Sequence, residues 1–152
     1  MHNVITPIIT DDIFPDQEHP TKPVIPTGRG NRQSLNAHID LTNVWKNYMN
    51  WCSRSIQSKT PREVLIIDQG ELKEKGRVAF HLHSTFPFEI EEEKKIVRIS
   101  SANLLIKAEW ADSTLCRQES INLMHEPVYH LVIQSQIIEQ FILETKMERI
   151  GR

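Results

Sequence analysis

The sequence predicts an all-β protein with no long helix, an antiparallel β-sandwich of about nine strands or, as the alternative, a barrel. Short apolar or alternating segments recur at spacings of roughly ten residues, and charged or turn-forming residues separate them. No segment keeps the helical apolar period of about 3.6 residues beyond a turn or two. A chain of 152 residues has the size of one domain, and we assign residues 1–152 to it.

The N-terminal part is predicted to hold two strands joined by a long loop. The first strand is expected over about residues 3–9. Residues 11–34 are rich in proline, which fixes φ and removes a backbone donor, so neither a central strand nor a helix is expected there. These prolines lie at positions 15, 20, 23 and 26. The second strand covers residues 35–42, where Leu35, Ala37, Ile39 and Leu41 alternate with polar residues and share one face.

The middle of the chain contains one ambiguous segment, residues 43–57. Trp45, Tyr48 and Trp51 are spaced by three, which fits a helical turn, whereas residues 53–57 fit a strand as well. Residues 62–71 contain a short continuous apolar run at 64–67 and reach Gly70, which is typical of a strand buried on both faces. Residues 73–76 predict a turn.

The C-terminal half alternates again. Residues 77–84 place Val78, Phe80 and Leu82 on one face and Ala79, His81 and His83 on the other. Further strands are expected over residues 87–91, 95–100, 102–110, 127–135 and 139–149, with a loop over residues 112–126. The run of charged residues at 89–95 is expected to be an exposed hairpin tip.

Composition excludes several classes of function. The formal charge of −2 lacks the clustered basic excess of a nucleic-acid-binding protein, so no nucleic acid is expected as a partner. No apolar run approaches the roughly 20 residues of a membrane helix, and residues 1–7 do not resemble a signal peptide. Cys52 and Cys116 are expected to be separate buried residues, with a disulfide between them as the alternative.

Several short motifs follow one another in a recognisable order. His2-Asn3 opens the chain, Asp40-Leu41-Thr42 precedes the aromatic Trp45, and Arg54 comes next; then follow Val64-Leu65-Ile66-Ile67-Asp68, Phe80-His81-Leu82-His83-Ser84, Glu126-Pro127-Val128 and the last strand with Phe141-Ile142-Leu143-Glu144-Thr145. This ordered series resembles the C-terminal β-sandwich of the heparinase II/III-like polysaccharide lyases, a family similar to oligoalginate, heparin and heparan lyases.

The resemblance implies a partial, supersandwich-like domain of a lyase that acts on uronic-acid-containing polysaccharides. In β-elimination a base removes the C5 proton, the carboxylate is neutralised, and an acid protonates the leaving oxygen. Family members carry most of these groups on an N-terminal helical domain, which this sequence does not contain. The chain is therefore expected to be inactive alone, to reach acidic polysaccharide only through that domain, and to hold no catalytic residue itself.

The resemblance also implies a metal ligand. His2 matches a histidine that resembles a zinc ligand of the family. One imidazole does not hold zinc, which takes three or four protein ligands, so His2 is expected to be an orphan ligand here. The alternative is a disordered N-terminal histidine without a role. Zinc thus belongs to the full-length family context, and no cofactor is expected for this chain alone. Family members are periplasmic, secreted or cytoplasmic, which leaves the compartment open.

His81 and His83 offer a second, independent metal hypothesis. Residues i and i+2 of a strand point to the same face, which is the geometry of a two-imidazole clamp. With Glu89 they faintly resemble a cupin metal motif, although the spacing departs from it. The alternative is that both histidines lie on an exposed face or contact another domain.

Other polar and aromatic residues each allow a binding role and a structural one. Arg54 and Arg62 could bind the sulfate or carboxylate of an acidic sugar, or form ordinary surface ion pairs. Asp68 is expected to make a turn or cap bond, and Asp40 and Glu126 also lie at strand or loop ends. The tryptophans at 45, 51 and 110 could stack on sugars, but packing is favoured, most clearly for Trp110.

Two further functions stay open beside the lyase fragment. One is a free-standing β-sandwich that binds carbohydrate or a partner protein without chemistry of its own. The other is a small cupin-like metal protein. A fragment of a sandwich would expose an unpaired strand edge, so self-association is expected if the chain is a fragment.

Overall fold

The all-β prediction is confirmed. The computed structural model describes residues 5–8, 15, 24–94, 96–99, 103–109, 115–123 and 126–150. Within these ranges the only helix is the three-residue 3-10 helix at Glu92–Lys94. The strands are β1 (Ile5–Ile8), β2 (Thr27–Gly30), β3 (Leu35–Asp40), β4 (Met49–Thr60), β5 (Glu63–Ser84), β6 (Glu89–Glu91), β7 (Ile96–Ile99), β8 (Leu104–Glu109), β9 (Leu115–Leu123), β10 (Glu126–Gln134) and β11 (Ile138–Arg149).

Every strand pairing in the described part is antiparallel, as predicted. One continuous path runs β2-β3-β4-β5-β11-β8-β7-β6. The first half of β5 pairs with β4 and β11, and its second half pairs with β1 and β10, which in turn pairs with β9. The strand β5 therefore belongs to both groups of strands. The sandwich arrangement of these groups stays a prediction.

A single large core joins side chains from both groups of strands. Phe80 and Leu131 come from the second half of β5 and from β10, whereas Cys52, Ile106 and Phe141 come from β4, β8 and β11, and all five are at most 5% exposed. Burial of apolar area on this scale is the main driving force for folding. A small second cluster of Ile8, Ala79 and Val132 lies on the opposite face of β5.

The ambiguous segment contains both of the structures that its pattern allowed. Residues 42–48 form helical turns, in which the backbone N–H groups of Trp45 and Met49 donate to the carbonyls of Leu41 and Trp45 at 3.3 and 2.8 Å. The strand β4 begins at Met49. Trp45 is 1% exposed and belongs to the core, which confirms the preference for packing at this residue.

Three local predictions were wrong. Residues 73–76 are no turn, because β5 continues through them with a bulge at residues 72–75. Between the pairs Glu71↔Gln140 and Gly76↔Ile138, β5 contains four residues whereas β11 contains one. The expected loop 112–126 contains β9. Its polar sequence does not predict a strand, but pairing with β10 satisfies its backbone hydrogen bonds. The expected loop 11–34 contains β2, which pairs with β3 after the last proline of that segment.

The outer strands of the long path are short. β2 has 4 residues, all of them exposed, and β6 has 3. Short edge strands limit edge-to-edge pairing, and the expected self-association stays a prediction. No helix in the described ranges is long and apolar enough to span a membrane.

Candidate functional site

The candidate site is a chain of histidines on the face of β5 that lies opposite the large core. His81 and His83 share this face, as their spacing predicted. The antiparallel register sets His130 of β10 directly opposite His83 and Val132 opposite His81. The same registers bring Thr6 of β1 and Glu119 of β9 to this face.

Hydrogen bonds connect three of these side chains in series. The Thr6 Oγ1 atom lies 2.7 Å from His81 Nε2, and His81 Nδ1 lies 2.8 Å from His130 Nε2. The planes of the two imidazole rings differ by 17°, with centroids 5.0 Å apart, which fits a hydrogen bond near the ring planes. His83 stacks on His130 at a centroid distance of 4.4 Å and an angle of 5°. We call Thr6, His81, His130 and His83 the histidine chain.

Glu119 favours one arrangement of hydrogen-bond donors and acceptors along the histidine chain. Its Oε2 lies 4.0 Å from His130 Nδ1, where a carboxylate attracts an N–H group. With Nδ1 protonated, His130 Nε2 accepts from His81 Nδ1–H, and His81 Nε2 accepts from the Thr6 hydroxyl. The 2.8 Å hydrogen bond between His81 Nδ1 and His130 Nε2 contains one proton, because one of the two nitrogens must accept. The two imidazoles therefore cannot both be imidazolium while this hydrogen bond is formed.

The metal hypothesis concerns His81 and His83, and both ring nitrogens of His81 have hydrogen-bond partners in the described structure. Among the described residues, no group of three histidine, cysteine or carboxylate side chains is arranged to hold a metal ion. Glu89 lies on β6, which pairs with β7 and not with β5. The hypothesis stays untested, as does the zinc hypothesis for His2, which lies outside the described residues.

Arg54 and Asp68 form a buried ion pair, which corrects the roles expected for both. Arg54 Nε and Nη2 donate to the two carboxylate oxygens of Asp68 at 2.6 and 2.9 Å, and the side chains are 10% and 1% exposed. The guanidinium carbon also lies 5.7 Å from the centroid of the Phe80 ring. Burial raises the pKa of the Asp68 carboxyl, and the bonds from Arg54 oppose that rise. Neither residue lies at the surface to bind a sugar, whereas Arg62 is exposed.

The remaining candidates have local roles. Asp40 Oδ1 accepts the backbone N–H of Thr42 at 2.9 Å, and hydrogen bonds from Thr42 lower the pKa of this carboxyl. Cys52 is a free, buried thiol, so no disulfide joins it to Cys116, and burial raises its pKa to about 12. Trp110 and the side chains of Cys116 and Glu126 lie outside the described part.

Trp51 differs from Trp45 because it is 40% exposed, on the outer face of β4. Its indole N–H donates to Glu71, which also accepts from Asn50 Nδ2 at 2.6 Å and Gln140 Nε2 at 3.0 Å. The hydrogen bond from Asn50 is the largest of several that lower the pKa of Glu71.

Sequence reasoning missed His130, the partner of both predicted histidines. Its strand was predicted, and alternation over residues 127–135 gave its face, but nothing in the sequence gives the register between β10 and β5. It also missed the pairing of Arg54 with Asp68, which are direct neighbours across β4 and β5.

The fold is similar to one part of several polysaccharide lyases of known structure. No model of a known protein family matches the sequence, and no curated protein matches it either. Heparan sulfate lyase HepC from Pedobacter heparinus superposes with a TM-score of 0.66 at 11% identity, over 83% of this chain and 22% of that chain. A heparinase III with methylated lysines gives 0.66 at 9% identity, over 84% and 21%. Another heparinase III structure gives 0.58 at 8% identity, over 90% and 23%.

These matches define the class of fold. At such identities the likeness concerns the fold, which is that of a β-rich region of heparinase-like lyases. The chain spans about a fifth of the length of the lyases that it matches, as the 22% coverage of HepC shows.

Proposed function

We propose that this chain is the C-terminal β-sandwich part of a lyase that cleaves uronic-acid-containing polysaccharide by β-elimination. The observation that carries the proposal is the structural match to a heparan sulfate lyase and to heparinase III structures, over 21–23% of each of those longer chains. The ordered motifs from His2-Asn3 to the last strand point to the same family without using the structure.

We further propose that the chain alone does not catalyse the elimination. A general base must come within hydrogen-bonding distance of the proton that it removes. His81 is only 6% exposed, and its two ring nitrogens contact Thr6 and His130. The histidine chain therefore suits a positioning role on a face that other parts of a longer protein would complete.

Elimination itself provides the test, because it creates an unsaturated uronate that absorbs ultraviolet light. The 152-residue chain and any longer product encoded in the same reading frame would be incubated with heparan sulfate, heparin and alginate. We expect unsaturated products from a longer form and none from the chain alone. Products from the chain alone would contradict the proposed inactivity, and their absence with every longer form would contradict the lyase assignment.

Trp51 supports a second candidate, a carbohydrate-binding domain without chemistry of its own. An exposed indole held by a carboxylate is a suitable platform for the apolar face of a pyranose ring. Quenching or a shift of tryptophan fluorescence on addition of neutral oligosaccharides, lost in Trp51→Ala and retained in Trp45→Phe, would favour this candidate. An identical response of Trp51→Ala and the unmodified chain would dismiss it.

A further inference from the structure

We propose that a cleft at the bulge of β5 binds one negatively charged sugar unit, a uronate or a sulfated sugar. This inference rests on the proposed function and adds the place at which this part of the molecule would contact an acidic polysaccharide. The cleft has a volume of about 310 Å³. Ligand pockets commonly measure roughly 300–1,000 Å³, so this cleft suits one or two sugar units rather than a long segment.

The walls of the cleft come from three elements that hydrogen bonds hold together. They are the end of β1, the helical turns at residues 42–48, and the bulge at residues 72–75 with the adjacent Gly76. The backbone N–H of Lys73 donates to the carbonyl of Tyr48 at 2.9 Å, which ties the bulge to the turns. Bulges commonly redirect side chains next to binding sites, and this one turns a run of charged residues toward the opening.

The lining combines an apolar floor with a polar rim. Ile8 and Leu72 are 7% and 4% exposed and form part of the floor together with Pro7. Asn47 and Tyr48 add an amide and a phenol, which are suited to hydrogen bonds with hydroxyl groups. This combination of apolar surface and a few polar groups is typical of small-molecule sites.

The charge on the rim selects the class of ligand. Lys73 and Lys75 are exposed beside a single carboxylate, that of Glu74, whereas the whole chain carries a formal charge of −2. A local excess of positive charge at a concave site raises the concentration of anions there. Two ammonium groups fit the carboxylate or sulfate of the ligand, and Glu74 can accept hydrogen bonds from its hydroxyl groups.

The experiment compares two double substitutions that remove the same charge. Lys73→Ala/Lys75→Ala removes both ammonium groups of the cleft, and Arg32→Ala/Lys59→Ala removes two exposed cations that do not line it. Binding of a sulfated, uronate-containing heparan sulfate disaccharide would be measured by calorimetry at about 0.1 M salt, where charge interactions reach roughly 10 Å. A neutral disaccharide, cellobiose, would be titrated in parallel.

We expect the charged disaccharide to bind the unmodified chain, to bind the cleft variant at least tenfold more weakly, and to bind the control variant within twofold. Equal weakening in both variants, equal affinity for cellobiose, or no binding of the charged disaccharide would each overturn the inference. The elimination assay separates this failure from that of the proposed function. A longer form that is an active lyase and is unaffected by Lys73→Ala/Lys75→Ala would overturn the cleft and leave the lyase assignment standing.

Discussion

Replacement of Asp68 by asparagine is expected to be among the most destabilising single changes in the described part of the chain. The substitution keeps the shape of the side chain but leaves the Arg54 guanidinium, in a side chain that is 10% exposed, without its counter-charge. Removal of one partner from a buried ion pair costs roughly 3–5 kcal/mol. For domains of this size, each kcal/mol lowers Tm by about 2–4 °C, so we expect Tm to fall by roughly 6–20 °C.

The measurement is urea unfolding of four proteins: the unmodified chain, Asp68→Asn, the double variant Arg54→Met/Asp68→Leu, and Glu139→Gln. Glu139 is an exposed carboxylate on β11 and serves as the control, with an expected change within about 0.5 kcal/mol. Apolar replacement of a whole buried pair is often neutral, so the double variant should be more stable than Asp68→Asn. A loss of less than about 1 kcal/mol in Asp68→Asn, or a double variant that is the less stable of the two, would refute the reasoning.

Three further changes test other features of the structure. Gly70→Ala should destabilise the chain by roughly 1–3 kcal/mol in urea unfolding, because the new methyl carbon would lie 2.7 Å from a backbone oxygen of β4; unchanged stability would contradict this contact. In a Cys116→Ser variant, the remaining thiol of Cys52, with a pKa of about 12, should react with a thiol reagent only on unfolding, and rapid reaction at pH 8 in the folded state would show that it is accessible. The pKa of Glu71 is lowered in the folded state, chiefly by the hydrogen bond from Asn50, so its stabilising contribution should be complete above its ordinary pKa of 4.5 and decline as pH falls through the lowered value. The Glu71→Gln variant should lack that decline in pH-dependent unfolding.

Alternation of apolar residues predicted much of the fold, and it worked best where one face of a strand is buried. The faces of residues 78–83 came out as expected, with Val78, Phe80 and Leu82 in the large core and His81 and His83 opposite. The same rule failed at β9, where polar residues dominate and pairing with β10 decides the structure. It also failed at residues 73–76, because a charged run with a glycine has the composition of a turn whether it ends a strand or bulges from one.

The candidate site was less predictable than the fold because it depends on register. Two residues far apart in sequence become neighbours only when the pairing of their strands is known. His130 reaches His83 through the register of β10 against β5, and Arg54 reaches Asp68 through that of β4 against β5. Each of these residues was visible as a polar residue in or beside a predicted strand. The sequence contains no signal for which of them would meet.

The bulge at residues 72–75 is the feature through which the core, the cleft and the histidine chain depend on one another. On both sides of it, even-numbered residues of β5 face the large core, from Asp68 before the bulge to Phe80 after it. The bulge therefore changes the partners of β5 from β4 and β11 to β1 and β10 without changing the face that each side chain occupies. Because side chains alternate strictly, a bulge with one residue more or fewer would put His81 into the apolar core and Phe80 among the polar groups. The length of the charged run is thus constrained by packing on both sides of it, whereas the charges themselves, which face solvent at the cleft, remain free to serve binding.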